Sequence, residues 1–160
     1  MSNRLKGKKV LIVDDEPDVL ETLEDLLSDC KTETSTSFAD AKVKLDSGAY
    51  DIAVLDIMGV DGYQLLKIAA SRKIVAVMLT AYALSPEDVA KSFNDGASFY
   101  LPKEEMVHIK SYLNDILEDI DRGRTPWERW LEKLGDYAER HFGPDWQKDD
   151  KNFWEKFPFY

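Results

Sequence analysis

Short apolar runs alternate with longer amphipathic stretches along the first three quarters of the chain. Lys9–Asp14 (KVLIVD), Ile52–Leu55 and Ile74–Leu79 are brief and almost wholly apolar. Runs of that length between polar residues predict strands buried on both faces. Thr32–Ser37 is polar and predicts a weaker strand at a sheet edge, and Ser98–Leu101 predicts a fifth strand. Between them, Val19, Leu20, Leu23, Leu26 and Leu27 recur at helical spacing behind Pro17, with Asp18 and Glu21 in the first turn. Ala39–Leu45 predicts a helix stopped at Ser47-Gly48, and Gly62–Ser71 another carrying Tyr63, Leu65, Leu66, Ile68 and Ala69. Ser85-Pro86-Glu87-Asp88 is a helix start with Ser as N-cap and Pro at the first helical position, and that helix closes near Asn94-Asp95-Gly96. Glu104–Ile120 predicts one long helix with Ile109, Leu113, Ile116, Leu117 and Ile120 on one face. Five β-α units in succession predict a doubly wound α/β architecture, a parallel sheet with helices on both faces and right-handed crossovers. Ligands of such sheets bind beyond the carboxyl ends of the strands, where the strand order reverses.

Composition adds a boundary and several exclusions. The 160 residues are 44% apolar and 32% charged, enough for one domain with a core and some chain to spare. Lys and Arg number 21 against 31 Asp and Glu, a net charge of −10. That balance argues against a nucleic-acid-binding module, whose footprint is basic, and against an anionic membrane surface. The single cysteine, Cys30, forms no internal disulfide, fits a reducing compartment and excludes Cys-rich zinc sites. No apolar run reaches the length of a signal peptide core or a membrane span, so the expected location is the cytoplasm. All four tryptophans, and ten of the aromatics overall, fall in the last 36 residues. The expected division is a domain over 1–122 and an aromatic-rich helical extension over 123–160.

The predicted strand ends carry the candidate chemistry. The first strand runs into Asp14-Asp15, the third into Asp56, the fourth into Thr80 and the fifth into Lys103. Taken singly, each acid reads equally as a helix cap or a solvated turn. In a parallel sheet, however, all these groups share one rim. Three carboxylates there repel one another unless a cation neutralises them, and an all-oxygen donor set without His or Cys favours a hard ion such as Mg²⁺. A carboxylate is a nucleophile toward phosphorus. A divalent cation, an ammonium and a hydroxyl together can hold the oxygens of a phosphoryl group in transfer. The pattern therefore points to an aspartate that accepts a phosphoryl group.

Residues 8–121 resemble the receiver domain of two-component response regulators. The matching segments are VLIVDDEPDVLETLEDLL, YDIAVLDIMGVDGYQLL, VAVMLTAYA and DGASFYLPKE. The resemblance implies a flavodoxin-like (βα)5 sandwich with a parallel five-stranded sheet of order 2-1-3-4-5. It implies that Asp56 is the phosphoacceptor and that Asp14, Asp15, Asp56 and the Met58 backbone carbonyl hold Mg²⁺, with Mn²⁺ as a substitute. Thr80 and Lys103 match the groups that bind the phosphoryl oxygens. Tyr100 matches an aromatic switch residue that turns inward on activation. Met58 and Tyr82 match positions flanking the route of attacking water; both are bulky, so slow loss of the phosphoryl group is expected. The implied donor is a sensor histidine kinase or a histidine phosphotransfer protein. The implied output is protein contact on the face of the fourth helix, fifth strand and fifth helix. Two departures stand out. The family usually reads Asp-x-x-Met-Pro-x-x-Asp-Gly after the phosphoacceptor, whereas Asp56-Ile57-Met58-Gly59-Val60-Asp61-Gly62 is two residues shorter and lacks the proline. The family's Lys-Pro is replaced by Pro102-Lys103-Glu104, for which a trans Lys103-Glu104 bond is expected.

Beyond residue 122, Thr125-Pro126-Trp127-Glu128 predicts a capping box opening a helix with Trp127, Trp130, Leu131, Leu134, Ala138 and Phe142 at helical spacing. Trp146 and Trp154 follow it. So much aromatic surface needs cover, either from the chain's own receiver or from a dimer or partner interface. The extension has no basic stripe and only one well-formed helix, which leaves no DNA-binding output module. The expectation is a stand-alone response regulator. Two other readings remain open at this point: a degenerate, unphosphorylated receiver acting as a scaffold, and a haloacid-dehalogenase-like phosphatase. The latter wants Asp-x-Asp after the first strand, and Asp14-Asp15 is followed by Glu16-Pro17.

Overall fold

A computed structural model describes residues 3–81 and 85–142. Within them, β1 (Lys9–Val13), β2 (Lys31–Ser35), β3 (Ile52–Asp56), β4 (Val75–Thr80) and β5 (Phe99–Pro102) form one parallel sheet in the order β2-β1-β3-β4-β5. The crossovers are α1 (Pro17–Leu26), α2 (Phe38–Asp46), α3 (Gly62–Ser71) and α4 (Pro86–Asn94), and α5 (Ile109–Arg122) and α6 (Pro126–Phe142) follow β5. This is the flavodoxin-like arrangement. The apolar runs of β1, β3 and β4 lie under helices on both faces and are buried almost throughout. β2, at one edge, keeps Lys31 and Glu33 in solvent, which explains its polar sequence. β1 lies between β2 and β3, so the strand order reverses there and the switch-point crevice opens between the ends of β1 and β3.

Ser85 caps α4 as its position predicts, its side chain accepting from the Asp88 N–H at 3.0 Å. Two local expectations are corrected. The stretch expected to open a long helix at Glu104 is instead a 3-10 helix over Lys103–His108, and α5 begins only at Ile109. The 3-10 turn buries none of its side chains, whereas Ile109, Leu113 and Ile116 give α5 an anchored apolar stripe. The Thr125 capping box does not close. The Thr125 hydroxyl is buried and makes no hydrogen bond among the described residues. The local backbone is committed elsewhere, with Gly123 ending α5 at φ +72° and the Arg124 N–H donating to the Asp119 carbonyl.

α6 packs against α5, β5 and α4. Trp130, Leu134, Tyr137 and Ala138 are buried and continuous with the core under the sheet. α6 is therefore covered by the sheet and helices that precede it. Trp146 and Trp154 lie outside the described residues, as does Tyr82. No helix among the described residues is long and apolar enough to cross a membrane.

Candidate functional site

The carboxyl ends of β1, β3, β4 and β5 meet at one cleft of about 290 Å³, lined in part by Asp15, Glu16, Asp56, Met58 and Lys103. Asp14 and Asp56 stand on either side of the switch point, and both are buried, as is Thr80 at the end of β4. Lys103 begins the 3-10 helix just past β5 and reaches back across the rim. Its ammonium nitrogen lies 2.9 Å from Asp14 Oδ2, 3.3 Å from Glu16 Oε1 and 3.7 Å from Asp56 Oδ1. The Asp14 contact is an ion pair rather than an aligned hydrogen bond. Asp14 Oδ1 also accepts from the Glu16 N–H at 2.9 Å, which fixes the turn that leads into α1.

Four carboxylates (Asp14, Asp15, Glu16, Asp56) face one ammonium, so the rim is short of positive charge. Burial, and then the Asp14 carboxylate, push the Asp56 carboxyl up to about 7, against the pull of Lys103. Burial likewise raises Asp14, opposed by Lys103. Burial weakens the Lys103 ammonium, but its contacts with Asp14, Asp56 and Glu16 outweigh that and raise its pKa. Asp14, Asp15 and Glu16 each offer an oxygen within 4.8 Å of the others, a set that fits a hard divalent ion.

The short loop after Asp56 achieves close packing through two glycines. Gly59 has φ +83°, and a Cβ there would lie 2.5 Å from Asp15 Oδ2. A Cβ on Gly62 would overlap the Asp56 carbonyl oxygen, so only glycine lets α3 start this near the end of β3. Met58 sits on the cleft with its side chain mostly in solvent. No cis peptide occurs among the described residues, and Pro102 ends β5 opposite Thr80. Tyr100 is fully buried on β5, the strand next to Thr80. Burial raises its phenol pKa far above the ordinary value, so it stays protonated.

The fold thus brings Asp14, Asp15, Asp56, Met58, Thr80 and Lys103 to one rim and places Tyr100 on the neighbouring strand β5, two residues before the position opposite Thr80. Tyr82 lies outside the described residues, and Trp127, Trp130 and Leu134 belong to α6 rather than to the rim. Glu16 and Gly59 belong to the site although the sequence pattern does not single them out. Adjacency to the acidic pair is the available signal for Glu16. The signal for Gly59 is a glycine in a loop too short for the usual motif.

Comparison with known proteins places this geometry. The family model for the response regulator receiver domain matches residues 10–114. The two-component response regulator ARR18 of Arabidopsis thaliana is 32% identical over 103 residues, 61% of this chain and 16% of that protein. The transcriptional regulatory protein TcrA of Mycobacterium tuberculosis is 31% identical over 107 residues, 62% of this chain and 42% of that protein. The chain therefore matches less than half the length of these curated relatives. The solved structure of the BeF3-activated DrrB receiver domain, from Thermotoga maritima, superposes with a TM-score of 0.62 at 26% identity, over 70% of this chain and 98% of that one.

Proposed function

The chain belongs to the response regulator receiver family, and from that premise we propose that Asp56 accepts a phosphoryl group from a phosphohistidine in a Mg²⁺-dependent step. The observation that carries the reading is a buried Asp56 carboxylate at the switch point, 3.7 Å from the Lys103 ammonium and on an open cleft.

An Asp56 carboxylate oxygen attacks phosphorus. The new P–O bond forms as the P–N bond to the donor imidazole breaks, and the imidazole departs with the bonding electron pair. Lys103 stays beside the acceptor and offers its charge to the incoming oxygens. Thr80 offers a hydroxyl donor from the neighbouring strand end. Asp14, Asp15 and the Met58 carbonyl would hold Mg²⁺ (or Mn²⁺), with Glu16 as a further carboxylate in reach. When bound, the ion neutralises the charge that Asp56 and the phosphoryl group bring together. Holding Asp56 with a raised pKa leaves part of it protonated near neutral pH, and a cation on the rim favours the ionised nucleophile.

The donor is a sensor histidine kinase or a histidine phosphotransfer protein in the cytoplasm, and the product is a switched protein rather than a released metabolite. Residues 1–122 form the receiver unit and 123–160 its extension. Incubation with acetyl phosphate and Mg²⁺, followed by intact-mass measurement, tests this: wild type gains one phosphoryl mass and Asp56→Asn gains none. A chain that never gains that mass is a scaffold instead.

A further inference from the structure

Glu16 sits where β1 turns into α1, and its backbone is fully committed. Its N–H donates to Asp14 Oδ1 at 2.9 Å, and its carbonyl accepts from the Val19 and Leu20 N–H groups at 3.1 and 3.3 Å. Pro17 follows it and favours the extended backbone it adopts, at φ −98° and ψ 112°. Glu16 is the N-cap of α1, a position that Ser, Thr, Asp and Asn serve by accepting a backbone hydrogen bond. The Glu16 side chain makes no such bond. Helix capping therefore gives no reason for a glutamate here. The side chain turns instead toward Lys103, 3.3 Å away, although 60% of it is in solvent.

The Lys103 ammonium has three N–H donors and three acidic neighbours, Asp14, Glu16 and Asp56, of which Asp56 is the farthest at 3.7 Å. Glu16 also offers an oxygen within 4.8 Å of oxygens of Asp14 and Asp15. Asp14 Oδ2 is buried and accepts no hydrogen bond among the described residues, which leaves it a lone pair for a cation. Asp14 and Asp56 are fixed by burial at strand ends. Glu16, long and exposed on a pinned backbone, is the carboxylate that can turn between Lys103 and the acidic pair.

We propose that Glu16 is a positioning residue shared between two cations: it holds Lys103 back from Asp56, and a divalent ion at Asp14 and Asp15 competes for it and so hands Lys103 to Asp56. The inference rests on the reading of Asp56 and its cation given above, and adds to that reading what moves Lys103. Two positive charges that compete for one carboxylate weaken each other's hold on it reciprocally. The exchange needs only rotamers of the Glu16 side chain, since none of its backbone hydrogen bonds changes. Lys103 then keeps two acidic partners instead of three, and more of its charge reaches Asp56 and the oxygens transferred to it. Phosphoryl acceptance is tied to the cation twice, through neutralised charge and through a released ammonium.

Titration calorimetry of Mg²⁺ into the full chain, without a phosphodonor, tests this. Glu16→Gln should weaken Mg²⁺ binding roughly fivefold, the effect of one exposed charge beside the ion. Glu16→Asp keeps the charge and should stay within about twofold of wild type. Lys103→Met removes the competitor and should tighten Mg²⁺ binding, by a factor about twofold smaller when it is combined with Glu16→Gln. Unchanged or tighter binding in Glu16→Gln overturns the proposal, as does an equal loss in Glu16→Asp. A Lys103→Met variant that gains nothing, or gains equally in both backgrounds, overturns it too. Those failures leave the Asp56 reading standing. A wild type that binds Mg²⁺ but gains no phosphoryl mass from acetyl phosphate overturns the Asp56 reading, and the handover to Asp56 with it.

Discussion

Replacing Asp56 by Asn should stabilise the metal-free protein, and most strongly above neutral pH. The carboxylate is 3% exposed and lies beside Asp14, and its pKa rises from 3.8 to about 7. Between those two values the folded chain holds a proton that the unfolded chain has lost. Stability therefore falls as pH rises through that window, with no penalty below it and the full penalty above it. A rise of that size corresponds to roughly 4 kcal/mol against the folded state at about pH 8. Asparagine does not titrate and removes the penalty. Part of the gain is offset because Lys103 loses a partner at 3.7 Å, although it keeps Asp14 at 2.9 Å. The net expectation is that Asp56→Asn exceeds wild type by about 1–3 kcal/mol at about pH 8 in a chelator, a Tm rise of several degrees for a chain of this size. Urea unfolding followed by circular dichroism at about pH 8 and about pH 5 measures it, and the advantage should shrink at the lower pH. An Asn variant no more stable than wild type at the higher pH, or a gap that ignores pH, refutes the reasoning.

The Gly59→Ala variant places a methyl group 2.5 Å from Asp15 Oδ2 on a backbone at φ +83°. Displacing that carboxylate should weaken Mg²⁺ binding by about tenfold in a calorimetric titration, and unchanged affinity counts against Asp15 as a ligand. Arg129→Met leaves the buried Asp119 carboxylate, among the described residues, with Arg124 Nη1 at 3.7 Å. Urea unfolding should show a loss of about 3 kcal/mol, and a loss well under about 1 kcal/mol would mean that the Arg129–Asp119 pair does not hold α6. Combining Met58→Asn with Tyr82→Ala should shorten the lifetime of the aspartyl phosphate; unchanged or slower decay removes any role for these side chains in screening water.

The strands were legible because buried parallel strands need continuous apolar runs, and β1, β3 and β4 have them. β2 was legible only as an edge, since its solvent-facing Lys31 and Glu33 dilute the signal. Once the strand order is known, the rim follows, because a parallel sheet carries Asp14, Asp56, Thr80 and Lys103 to the same side. The start of α5 was not legible. Lys103–His108 has helix-forming residues, and the missing apolar anchor becomes visible only when the turn is seen to bury none of its side chains. The cap at Thr125 failed for a related reason, as its backbone neighbours are committed to closing α5. The contact between Trp130 and the Tyr100 carbonyl joins residues 30 apart and depends on β5 being at an edge. Helical spacing identifies Trp130 as core, but periodicity carries no information about which carbonyl its indole will meet.

The central claim is that Asp56 itself carries the phosphoryl group. Treating the protein with acetyl phosphate and Mg²⁺, then reducing with borohydride, converts an aspartyl phosphate to homoserine that peptide mapping locates. The account predicts homoserine at Asp56, dependent on Mg²⁺ and lost with Lys103→Met. Homoserine at another aspartate, or none under conditions in which a known receiver is modified, contradicts it.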